Sequence, residues 1–146
     1  MPQDIEVVEQ LIIDALKNDA AVNAVVKTFD RYDGQFGIDD LKDIKGLPPA
    51  CFVTYVRDGL DASTRGRTYI QKNQYNVVVF AKDLRGKFDA KQQALSVTKL
   101  VHNALHNNEL GLENVYPGLE RFDRIPLLVT PEIAVFEMSF RINWVA

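Results

Sequence analysis

Residues 132–145 carry the clearest pattern in the chain. Ala134, Phe136, Met138, Phe140, Ile142 and Trp144 fall on even positions, while Glu137, Ser139, Arg141 and Asn143 fall on odd ones. Successive side chains of a strand point to opposite faces. The run therefore predicts a long strand with one face on a core and the other on water or a polar partner.

The rest of the chain supplies partners for such a strand. Residues 69–82 read as a strand whose second half, Tyr75 to Ala81, is apolar on both faces, as a central strand covered twice requires. Residues 50–57 precede it as another strand. Between them, Asp58 to Arg67 holds Gly59, Gly66, Arg65 and Arg67, which predicts a mobile loop or the tip of a long hairpin. Val25 to Phe29 is β-branched and aromatic and reads as a short strand, followed by a turn at Asp30-Arg31-Tyr32-Asp33-Gly34. Residues 119–129 form a further strand, closed by Pro131. Ile5, Val8, Ile12, Ala15 and Leu16 repeat at the helical period over residues 4–17, and Asn18-Asp19 supply the stop. Residues 38–45 read as one or two helical turns. Asp89 and Gln92 match a capping box, and a helix with Ala94, Val97, Leu100 or Val101, Ala104 and Leu105 on its apolar stripe runs to about Asn107. The predicted order is α-β-(short α)-β-β-α-β-β. The predicted fold class is α+β, a single mostly antiparallel or mixed sheet with the two main helices packed on one face.

The chain has 146 residues, the size of one ordinary domain, and residues 1–146 are read as a single unit. A hydrophobic fraction of 47% suffices for a packed core. The net charge of -3 leaves no broad positive field for nucleic-acid phosphates. Cys51, the only cysteine, lies in the apolar run Ala50-Cys51-Phe52-Val53 and reads as a buried thiol in a reducing compartment. The amino terminus lacks a basic region and an apolar core, and no apolar stretch reaches membrane-span length, so neither a signal peptide nor a membrane partner is expected.

Each candidate for chemistry lacks a necessary part. His102 and His106 have metal-ligand spacing on a helix, but Asn103 occupies the place of the glutamate that a zinc-protease motif needs. They read as solvent-facing residues near a helix end. Asp39, Asp40 and Asp43 sit among lysines on a solvated face. Asp30 and Asp33-Gly34 lack the remaining acids of a calcium loop. The glycines have no phosphate-loop spacing, and no Gly-x-Ser-x-Gly elbow occurs. No catalytic, cofactor-binding or metal-binding residue is assigned, no cofactor is expected, and the chain is read as a non-enzyme. The features suited to contact are Arg57, Asp58, Arg65 and Arg67 around the 58–68 loop, and the polar face Glu137, Ser139, Arg141 and Asn143.

Several short stretches carry a resemblance. They are Asp30-Arg31-Tyr32-Asp33-Gly34, Leu47-Pro48-Pro49-Ala50, Val77 through Gly86, and Leu110-Gly111-Leu112. Together with the element order they resemble the Mu-like phage tail-terminator family. The resemblance implies a non-catalytic subunit of the virion tail, assembled in the host bacterial cytoplasm. It implies a ring, commonly a hexamer, that caps the tail tube, stops polymerisation and offers a surface for head joining. Its implied partners are other copies of itself, the tail tube, the sheath and the neck or head connector, with no specific nucleic acid and no membrane. Another neck component, or a small-ligand-binding or enzymatic α+β domain, are the alternative readings.

Overall fold

The computed structural model describes residues 4–31, 48–62, 69–83, 90–113 and 115–145. The elements are α1 (Ile5–Asn18), α2 (Ala20–Val25), β1 (Thr28–Arg31), β2 (Ala50–Ala62), β3 (Tyr69–Lys82), α3 (Ala90–Leu105), β4 (Val115–Val129) and β5 (Ile133–Val145). The strands form one five-stranded sheet in the order β1-β2-β3-β5-β4. β1 runs parallel to β2 and every other pairing is antiparallel, so the sheet is mixed. The fold is α+β, as the periodicity predicts.

The even positions of β5 face the helices. Ala134, Met138, Phe140, Ile142 and Trp144 are buried there with Val77 and Val79 of β3, Cys51 and Val53 of β2, and the inner faces of α1 and α3. The opposite face of the sheet carries a second apolar cluster at one end: Ala50, Phe52, Val78, Phe80, Ile133 and Val135. β3 thus has buried apolar residues on both faces. It lies centrally between β2 and β5, as its doubly apolar sequence predicts.

Several sequence expectations are corrected. Residues 20–25 are helical because the Asp19 side chain, read as a stop, accepts from the Ala21 and Val22 N–H groups and caps a second helix. The first strand accordingly begins at Thr28 rather than Val25. Residues 58–62 continue β2, because Asp58 to Ala62 pair with Asn73 to Tyr69, so of the two readings the long hairpin holds there rather than the mobile loop. β4 starts at Val115, before the expected residue 119, with irregular pairing between Val115 and Leu119. Asp30 and Arg31, expected to open a turn, end β1 instead by pairing with Phe52 and Val53. The rest of that turn, Tyr32 to Gly34, lies outside the described residues, as do the expected helix at 38–45 and the capping residue Asp89.

Gly118 explains that irregular start. It has φ +123, and a Cβ there would lie 2.7 Å from the Asn107 carbonyl carbon. The close approach seats β4 on the end of α3, where Asn107 N–H donates to Leu119 O at 2.7 Å and Leu119 N–H donates to Asn108 O at 2.9 Å. Backbone blocks the added atom, and a left-handed φ strains any L side chain. Gly118→Ala is expected to cost about 2–3 kcal/mol, read as a lowered urea midpoint with an unchanged m-value.

Candidate contact surface

On the face away from the helices, the register builds a polar row across four strands. Arg57 of β2 lies opposite Gln74 of β3, Gln74 opposite Arg141 of β5, and Arg141 opposite Glu120 of β4. Arg57 Nε donates to Gln74 Oε1 at 3.1 Å, and Gln74 Nε2 donates to Asn76 Oδ1 at 3.2 Å. Arg141 Nε donates to Glu120 Oε2 at 3.0 Å. The Arg141 guanidinium also stands over the Phe122 ring, 5.7 Å from its centroid. Together with Asp58, Lys72 and Asn73, members of this row line an open cleft of about 270 Å³.

The structure brings Arg57, Asp58 and Arg141 together in this cleft. Asn143 follows on the same face, opposite Lys72, with a buried Oδ1 that no hydrogen bond satisfies. Ser139 is buried opposite Asn76 and Asp123. Glu137, half-buried opposite Val78 and Ile125, marks the border with the apolar cluster. Arg65 and Arg67 lie outside the described residues. Phe122, Gln74 and Glu120 are members of the surface that sequence reasoning missed. Only cross-strand register joins them to the arginines, and no local motif carries it.

The histidine pair is not solvent-facing. The His102 and His106 rings are half-buried and stacked, with centroids 4.7 Å apart and an angle of 19° between planes. His106 Nδ1 accepts from the Arg121 N–H at 3.2 Å, while the buried Nδ1 of His102 finds no partner. Among the described residues no third histidine, cysteine or carboxylate joins them as a ligand set. The pair faces β4, where Arg121 and Arg124 would repel a cation. Burial, aided by Arg121, His106 and Arg124, holds the His102 pKa below its ordinary value. Cys51 is fully buried, and burial pushes its thiol up to about 12, far from thiolate chemistry at neutral pH. Among the described residues no helix is long and apolar enough to cross a membrane.

No family model matches the chain, and no curated protein sequence matches it. Among solved structures, a chain from the virion of a native gene transfer agent particle superposes with a TM-score of 0.60. The two are 14% identical, and the match covers 95% of this chain and 95% of that one. The fold is shared with a chain of a virion. That likeness extends over the whole sheet and its helices rather than over any one motif.

Two outcomes follow from this geometry. The Arg141–Glu120 pair is partly exposed, at 42% and 26%, so Arg141→Ala should cost under about 1 kcal/mol in thermal melts and leave the fold intact. His102 is easier to protonate in the unfolded chain than in the folded one. Its contribution to stability is complete above its ordinary value near 6.5 and is lost as pH falls below that toward the folded value. The melting temperature should drop more steeply from pH 7 to pH 5 in the native protein than in His102→Asn. Parallel pH profiles would contradict the assignment.

Proposed function

We propose that this protein is a structural subunit of a phage or phage-like particle, and within it a tail terminator. In this reading it forms a ring that caps the tail tube, stops tube growth and presents a surface to the neck or head connector. The observation that carries the reading is the fold shared with the virion chain over nearly the full length of both. The resemblance of the turn and core motifs to the Mu-like terminators narrows it from virion component to terminator, with a hexamer as the expected ring.

The contact surface is compatible with such a role. It is a wide polar face on a rigid sheet, and its Arg57 and Arg141 already hold Gln74 and Glu120. That arrangement suits a broad protein contact better than a small ligand, which needs an enclosed apolar pocket with convergent polar groups. A neck or head-tail joining component is the second reading, because the shared fold serves it equally.

The deciding measurement is mass in solution by light scattering, with negative-stain images, alone and with tail tubes. A closed ring of about six subunits is expected, since head-to-tail contacts close into rings when the rotation permits. Co-sedimentation with tubes is expected of a terminator, and with the connector instead of a neck component. A protein that stays monomeric in the presence of both would overturn the structural reading. Replacing residues 63–68 by an Asn-Gly turn keeps the Ala62–Tyr69 pairing and should abolish association with the tail tube while preserving the fold.

A further inference from the structure

The described surface places its large exposed apolar side chains at the two opposite sides of the sheet. Phe122 and Ile125 of β4 are 46% and 41% exposed. On the far side, Val7 of α1 and Val56 of β2 are 45% and 41% exposed. α1 packs over β1 and β2, and α3 packs over β3, β5 and β4, so each side presents a helix layer above a sheet layer.

Opposite charges stand exposed near the apolar residues of the two sides. Asp4, the N-cap of α1, and Glu6 in its first turn are exposed beside a shallow groove lined by Glu6, Val7, Leu11 and Arg31. The Arg31 guanidinium donates to Glu6 O at 3.2 Å and to Gln10 Oε1 at 3.3 Å. Arg124 is exposed on β4, on the helix side of the sheet, where its Nη1 reaches Thr98 Oγ1 at 3.3 Å. We infer that copies of this chain join head to tail, the β4 side of one subunit against the α1–β2 side of the next. This rests on the ring-forming reading above and names its contact. Seated so, helix layer meets helix layer, with Arg124 against the α1 acids. Sheet layer meets sheet layer, with Phe122 and Ile125 against Val56. The head-to-tail contact sets Arg124 against Glu6, whereas a two-fold contact that stacked Arg124 on its own copy, or Glu6 on its own copy, would oppose like charges. The neighbouring Asp123 Oδ1 accepts from the Arg124 N–H. The contact is side-chain packing, not strand addition. Pro126 removes an edge N–H, and register breaks near Phe122 and Leu127 interrupt the ladder of β4.

The test mixes two single variants, Glu6→Cys and Arg124→Cys, under mild oxidation. Cys51 is fully buried and does not compete. The mixture should give a cross-linked dimer, each variant alone none, and the double variant a ladder ending in a closed ring. Cross-linking within one variant alone means a two-fold contact and overturns the inference. No mixed cross-link, while the native protein runs as a ring, also overturns it and leaves the ring reading standing. No cross-link and a monomeric native protein, with or without tail tubes, defeats both. Arg124→Glu should weaken association at least about tenfold, and Glu6→Arg in the same chain should restore it. A loss without rescue, with unchanged melting temperature, counts against the pairing.

Discussion

The unbroken pairing of β3 with β5 is the constraint on which the rest depends. It runs from Ile70 opposite Val145 to Lys82 opposite Ile133 without a register shift. β2 and β4, hung on either side, both carry shifts. The central register is locked from two faces, by Tyr75, Val77, Met138 and Phe140 under the helices and by Val78, Phe80 and Val135 opposite. A slip of one residue would turn Glu137, Ser139 and Arg141 into the helix-facing core. Burying an unpaired guanidinium there costs far more than any surface pair returns. The polar row is therefore a consequence of core packing, held in place by residues that never touch it.

That dependence explains what was legible in the sequence. The alternation of β5 is local, and it correctly placed Phe136 to Trp144 inside. It also assigned Arg141 and Asn143 to the other face. The double apolarity of Tyr75 to Ala81 is local too, and it placed β3 at the centre. By contrast, Asp19 offers the same side chain to two outcomes, helix stop and helix start. Only the two N–H groups it accepts decide for the second. Glycine and charge made residues 58–62 look like a loop, yet pairing with β3 outweighs their poor strand propensity. Gln74, Glu120 and Phe122 join the arginines through register across three strand boundaries, a relation no window of sequence contains.

The groups that most resembled catalysts are explained by packing. His102 stacks on His106 beneath β4, in a neighbourhood made positive by arginines. Cys51 is sealed in the core. Glu9, buried on α1, accepts from the Tyr55 N–H at 3.1 Å and so ties the helix to β2 where that strand bends. A buried carboxylate in such a place satisfies backbone that would otherwise be left unpaired near the sheet's edge, which is a structural task.

The register shift in β2 and the middle one of the three in β4 have the same form and bracket the same row. The register shifts between Tyr55 and Arg57, and again between Arg121 and Asp123. The residue passed over in each case is apolar and exposed: Val56 on one side, Phe122 on the other. A bulge leaves its extra residue unpaired, increases the local twist and spoils the edge for indiscriminate strand addition. β2, beyond its short pairing with β1, and the edge strand β4 thus surrender backbone pairing at one level of the sheet and present a hydrophobic side chain there instead. Two such devices at one level, on opposite sides of the central pair, give the chain two distinct sides, as the proposed ring requires. Two-sidedness is the condition under which identical chains close into a ring rather than stop at a symmetric dimer.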